Sequence, residues 1–198
     1  MSPEPISPRN GTLIVLVAPS GGGKSTLARK LFEEFPKLRF SVSATTRPPR
    51  EGERDGVDYH FLSEEAFDQA IAEARFLEWE SFYGGVRYGT LHSEVEKELK
   101  KGYYVLLDIE VNGALNVKDS YGDDALTIFI QPPSMEVLED RLRARGTENA
   151  SSLKLRLDRA RMEMNQAERF DHIVVNDDLQ QCYAELSRLV RSAVQPTD

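Results

Sequence analysis

The chain has 198 residues, 40% of them hydrophobic and 29% charged, with a formal net charge of −8. That length holds one domain with insertions and a sizeable core, and the acidic balance argues against a nucleic-acid binder, which shows a basic face. The single cysteine, Cys182, excludes an internal disulfide and fits a reducing compartment.

Met1 to Asn10 carries three prolines and reads as a disordered tail. The apolar run Leu13-Ile-Val-Leu-Val-Ala18 is far shorter than the about 20 residues of a membrane span. It is also a poor signal-peptide core, because it stops at a glycine cluster; the chain is expected in the cytoplasm. Pro19-Ser-Gly-Gly-Gly-Lys-Ser-Thr26 follows, then apolar residues at helical spacing, Leu27, Leu31 and Phe35. This is strand, phosphate loop, helix. Glycines let several backbone N–H groups turn towards phosphate oxygens, and the helix presents its positive end to the same anion. Lys24 reaches terminal phosphates, and the Ser25 hydroxyl helps hold Mg²⁺. Ala18 stands where the Walker pattern asks for Gly, so the match is one residue short.

Phe40 to Thr45 reads as a second strand, ending in the polar loop Thr46-Arg-Pro-Pro-Arg50, which its prolines keep from being helical. Tyr59-His-Phe61 and Phe76 to Phe82 read as strands, and Ser63 to Ala74 as a helix with acidic residues in its first turn. Ser93-x-x-Glu96 reads as a capping box opening a helix with Val95 and Leu99 on one face and Gly102 at its end. Tyr103 to Ile109, Leu126 to Ile130 and His172 to Val175 return to the buried-strand pattern. Ser134 caps a helix carrying Leu138 and Leu142, and a closing helix buries Leu179, Cys182, Tyr183, Leu186 and Leu189. Strands alternating with helices imply an α/β fold with a parallel sheet and helices on both faces. Residues 46–92 interrupt that alternation as a small mixed subdomain.

Several side chains then stand out. Asp108 ends an apolar strand, where a P-loop protein needs a carboxylate near Mg²⁺; a strand-end Asp is also common for structural reasons. Arg47 and Arg50 flank two prolines and suit bidentate capture of a phosphate, or form a solvated charged loop. Glu78, beside Trp79 in an apolar strand, needs a partner if buried. Arg141 and Arg145 share a helix face and Arg156 opens the next helix, so a polyphosphate among them is a natural counter-charge. The alternative is an exposed basic helix with Glu139 and Glu163 as neighbours. His60, His92 and His172 have no metal-ligand spacing.

The order and spacing of these stretches resemble the guanylate kinase family from Gly11 to about Val190. The residues that carry the resemblance are Ala18 to Thr26, Ser41 to Arg50, Glu51-Gly-Glu53 through Asp58-Tyr59, and Phe76-Leu-Glu-Trp79. Tyr88-Gly-Thr90, Leu107-Asp-Ile109, Arg145-Gly-Thr-Glu148 and Val175-Asn-Asp-Asp-Leu179 complete the set. The resemblance implies a P-loop nucleoside-monophosphate-kinase fold: a parallel sheet flanked by helices, a GMP-binding insert at 46–92 and a helical lid at about 141–160. The remaining core is 11–45 and 93–190. The implied activity is Mg²⁺-assisted transfer of the γ-phosphoryl of ATP to GMP.

By position the resemblance assigns Ala18, Pro19, Ser20, Gly21, Gly22, Gly23, Lys24, Ser25, Thr26 and Asn176 to ATP. Arg47, Arg50, Tyr59 and Tyr88 fall to the GMP phosphate, and Ser43, Glu78, Thr90 and Glu110 to the guanine. Lys24, Arg141, Arg145 and Arg156 fall to catalysis, and Ser25 and Asp108 to the metal. Glu110 and Asn112 stand where Asp and Gln are usual, and Tyr83 to Tyr88 is one residue longer than the common pattern.

The rivals are a guanylate-kinase-like interaction module without catalysis, a GTPase switch, and a kinase for another nucleoside monophosphate. Such modules tend to lose the loop lysine, which is intact here. Asp119-Ser-Tyr-Gly122 fits D-x-x-G but follows no apolar strand. Glu78 is the main argument against another acceptor. ATP and GMP are the expected partners, with neither nucleic acid nor membrane.

Overall fold

The computed structural model describes residues 11–81, 83–144 and 150–194. Arg145, the Gly-Thr-Glu148 stretch, Phe82 and the expected tail at 1–10 lie outside them. In chain order the elements begin β1 (Leu13–Val17), α1 (Lys24–Glu34), β2 (Leu38–Phe40), β3 (Ala44–Thr45), β4 (His60–Phe61) and α2 (Glu64–Ala72). Next come β5 (Phe76–Ser81), β6 (Arg87–Leu91), α3 (His92–Lys100), β7 (Tyr104–Asp108) and α4 (Val111–Tyr121). The last are β8 (Ala125–Gln131), α5 (Met135–Ala144), α6 (Ala150–Met164), β9 (His172–Val175) and α7 (Leu179–Val194). One sheet has the strand order β2-β7-β1-β8-β9, a second β4-β3-β6-β5.

The chain divides into two compact units, one taking residues up to Leu13 with Lys37–Leu106, the other Ile14–Pro36 with Leu107 onward. In the first, β2 pairs parallel with β7, Leu38 opposite Tyr104. The small sheet of this unit is closed on one side by α2, whose Phe67 and Ala70 pack with Ala44 and Phe76. Ser63 caps α2, its hydroxyl accepting from the Ala66 N–H.

The expected strand Phe40 to Thr45 is two strands in two sheets. Leu38 to Phe40 pairs with β7, whereas Ala44 is buried against Phe67 and pairs with Gly89. One straight strand cannot follow both partners, and the chain breaks over Ser41 to Ser43. The expected capping box also differs. Helix α3 starts at His92 straight out of β6, its N-cap is Leu91 with no side-chain cap, and Ser93 lies inside the first turn. Val95 and Leu99 are fully buried, as expected.

In the second unit β1 and β8 are buried strands, with Ile14, Val15, Leu16, Ile128, Phe129 and Ile130 wholly inside. Strand β9, expected to be buried too, buries only Val174 and leaves His172, Ile173 and Val175 exposed. Strands β8 and β9 pair parallel, Ile128 opposite His172. Helices α5 and α6 share their own cluster of Leu138, Leu142, Leu153, Leu157 and Ala160. Helix α4 has no counterpart among the sequence expectations. It lacks a side-chain cap and contains Asn112 and Gly113, yet it buries Val111, Ala114, Leu115 and Val117. Tertiary packing outweighs weak local propensity there. Asp119 to Gly122 is the end of this helix, which removes the D-x-x-G reading. On α7, Cys182, Leu186 and Leu189 are buried as expected, but Leu179, the first residue, is exposed.

Candidate active site

The loop between β1 and α1 is held in one conformation by close contacts. The Gly22 N–H donates to the Pro19 carbonyl at 2.8 Å. Gly21 and Gly23 have φ of 90° and 96°, the left-handed region that glycine enters without penalty. A methyl group at Gly21 would sit 3.0 Å from Leu138 Cδ1, and one at Gly23 would overlap the Asn176 amide nitrogen. Ala18, the departure from the Walker pattern, is buried, and among the described non-glycine residues only Ala74 has positive φ. A methyl group is therefore compatible with that position.

Gly23 is the N-cap of α1 and offers no side chain, so Lys24 and Ser25 begin the helix with amides that have no carbonyl one turn back. Such an end favours an anion. The Lys24 ammonium lies 2.5 Å from Asp108 Oδ1 and 3.4 Å from the Ile109 carbonyl at the end of β7. Ser25 and Ser20 are exposed. Arg156, in the second turn of α6 rather than at its start, donates from Nη1 to Ser20 Oγ at 3.2 Å. Arg141 on α5 donates from Nη2 to the Asn176 carbonyl at 2.9 Å. The Asn176 carboxamide donates to the Gly22 carbonyl at 2.8 Å, and the residue is only 6% exposed. Asn176 thus joins the loop, Arg141 and the end of β9.

Glu110, the N-cap of α4, accepts from Arg159 Nη2 at 2.9 Å, and Arg159 Nε donates to Glu163 at 2.8 Å. Burial pushes the Glu163 carboxyl above its ordinary range, with the Arg159 hydrogen bond opposing and the Glu110 charge reinforcing. Glu163 is buried rather than an exposed neighbour of a basic helix, and Glu139 pairs with Arg143. Arg159 escapes sequence reasoning because its two partners lie on different elements. Its one local signal is the i, i+4 spacing to Glu163.

In the other unit the Arg47 guanidinium is bound end-on by Glu53, Nη1 to Oε2 at 2.6 Å and Nη2 to Oε1 at 2.7 Å. The Arg50 N–H donates to the same carboxylate at 2.7 Å. These bonds, that from Arg47 first, hold the Glu53 carboxyl down to about 2. The guanidinium carbon lies 4.8 Å from the Tyr59 ring centre, and the Tyr59 and Tyr88 rings meet edge-on at 6.0 Å. In the same unit Glu78 is half-buried and accepts from Thr90 Oγ1 at 2.6 Å across the β5–β6 pair. Trp79, its neighbour, is 45% exposed, so the strand is not apolar throughout. Between Tyr83 and Tyr88 the chain turns with Gly84 and Gly85 at positive φ, and Glu78 stands opposite Thr90. Ser43 accepts from the His60 N–H through its carbonyl at 2.9 Å.

A family model described as guanylate kinase matches residues 10–193. The chain belongs to the guanylate kinase family. A guanylate kinase from Chlorobaculum tepidum is 56% identical over 169 residues, covering 85% of this chain and 86% of that protein. One from Chlorobium luteolum is 52% identical over 172 residues, covering 87% of each. The crystal structure of guanylate kinase from Anaplasma phagocytophilum is similar with a TM-score of 0.70 and 32% identity, over 94% of this chain and 88% of that one. The α/β fold, with a parallel sheet flanked by helices, is therefore that of guanylate kinases. No helix among the described residues is long and apolar enough to cross a membrane.

Proposed function

We propose that this guanylate kinase family chain transfers the γ-phosphoryl group of ATP to GMP, giving ADP and GDP, by positioning and charge neutralisation. The acceptor is a phosphate dianion and already a nucleophile, so no general base is required. Lys24 follows the charge that moves from the γ-phosphate, and Arg141, Arg145 and Arg156 counter it from the lid at 141–160. The loop from Ala18 to Thr26 holds the phosphates on backbone N–H groups. Asn176 braces that loop through Nδ2 and has its Oδ1 to accept from an adenine amino group.

Ser25 and Asp108 supply hard oxygen donors, which fit Mg²⁺, an ion that takes one or two protein ligands beside substrate phosphates and water. When bound, the ion neutralises charge between the β- and γ-phosphates. The 46–92 insert takes GMP: Arg47, Arg50, Tyr59 and Tyr88 hold its phosphate. Ser43, Glu78, Thr90 and Glu110 read its base. A cytoplasmic setting is the expectation, supported by the single cysteine, which fits a reducing compartment.

The observation that carries the acceptor is the Thr90–Glu78 hydrogen bond. It fixes a carboxylate oxygen opposite Thr90, two residues along β6 from Tyr88, in the same unit as the arginine–tyrosine cluster. Guanine offers two adjacent donors to such a carboxylate, and adenine offers none at that edge. The test is ADP release measured with GMP, AMP, CMP, UMP and dTMP as acceptors. GMP is expected to exceed the others by roughly 10⁴-fold in kcat/KM, and comparable rates with any other acceptor would overturn the assignment.

A further inference from the structure

We propose that Glu53 is a positioning residue for the acceptor: it grips the end of the Arg47 guanidinium and turns the Nε side of that group to the monophosphate. This rests on the reading of Arg47 as a phosphate ligand. A guanidinium has five N–H donors in one plane. Glu53 takes one from each Nη, and the Pro48 carbonyl takes another from Nη1 at 3.1 Å. The end-on fork, which a free arginine would offer to phosphate, is therefore occupied. The Tyr88 hydroxyl also interacts with this guanidinium, so the donor left without a partner is the Nε–H, on the edge that can meet an oxyanion side-on.

That Nε is buried and has no hydrogen-bond partner, in a side chain only 10% exposed. A buried donor without a partner is unfavourable, and such a group calls for a ligand. The remaining faces are closed: the Tyr59 and Phe61 rings lie 4.8 Å and 5.5 Å from the guanidinium carbon. The carboxylate also takes the backbone N–H of Arg50, so one side chain fixes the Arg47 guanidinium and the chain from which Arg50 projects. Simple charge counting argues the other way, since an acidic residue repels phosphate. The two views differ in the sign of one measurement.

That measurement is steady-state kinetics on the full chain carrying Glu53→Gln, Glu53→Asp, Arg47→Lys and the Glu53→Gln/Arg47→Lys pair. Glu53→Gln is expected to raise the KM for GMP about tenfold or more, with kcat within about threefold and the KM for ATP unchanged. Glu53→Asp keeps the charge but shortens the reach, and should raise the KM by less; it also serves if the Gln variant does not fold. In the Arg47→Lys background, Glu53→Gln should add little, because the effect passes through Arg47. An unchanged or lowered KM for GMP in both Glu53 variants overturns the proposal. So does a loss shared equally by ATP, GMP and thermal stability. A wild-type KM for GMP in Arg47→Lys instead removes the clamp reading beneath it. A raised KM there beside normal Glu53 variants overturns the positioning role alone.

Discussion

Lys24 and Asp108 form an ion pair at 2.5 Å, the lysine at the first position of α1 and the aspartate at the last of β7. The pair holds the ammonium beside the phosphate loop by a carboxylate that is itself a candidate metal ligand. A bound nucleotide would offer phosphate to the lysine, and Mg²⁺ would draw on the carboxylate, so the two would have to part on binding.

Lys24→Met removes the charge that follows the transferred group while leaving the GMP residues untouched. Turnover should fall by at least about a hundredfold, the size of a typical electrostatic catalytic contribution. The KM for GMP should change little. A variant keeping more than about a tenth of the wild-type kcat would refute this role.

Gly23→Ala meets two obstacles, a left-handed backbone and overlap with the Asn176 amide nitrogen. It should lower stability by about 1–3 kcal/mol and weaken ATP binding. Asn176→Ala removes the overlap along with the bond to Gly22, so the pair should be less harmful than the sum of its parts. Thermal melts and ATP titrations of the three variants measure this. Strict additivity would mean that the two residues do not meet.

Glu78→Gln keeps the shape and the Thr90 contact but cannot accept from two guanine donors. The kcat/KM for GMP should drop by about 2–4 kcal/mol, while that for AMP holds or improves. Both acceptors are measured on both proteins. An unchanged GMP-to-AMP ratio would move base reading to Glu110 and Ser43.

Glu163 gives a pH prediction. Its folded pKa lies above the ordinary glutamate value, chiefly through burial, so between the two values the folded chain holds more protons than the unfolded one. Stability from this group is full below the unfolded value and is lost as pH rises through the folded one. Glu163→Gln removes that loss. The melting temperature of the variant relative to wild type should therefore increase with pH upward from the ordinary glutamate range. A difference independent of pH would show that Glu163 does not titrate in that window.

Some of this molecule was legible without any structure. The phosphate loop was, because glycine freedom, the lysine and the flanking periodicities act within a dozen residues. Helix α2 with its acidic first turn, the strands at Leu13 and Leu126, and the buried face of α3 are local for the same reason. Glu78 stood out as a carboxylate that needed a partner, and its partner proved to be Thr90, twelve residues on across a strand pair.

What only the tertiary structure decided is who meets whom. The break between β2 and β3, the formation of α4 and the end-on grip of Glu53 on Arg47 are settled by packing and geometry. So are the reach of Asn176 to Gly22, across 154 positions, and that of Arg159 to Glu110, across 49. Residue type and spacing set which groups can carry charge or bend the backbone. The energy of a hydrogen bond or an ion pair depends on distances of a few ångströms, and those exist only once distant segments have been brought together.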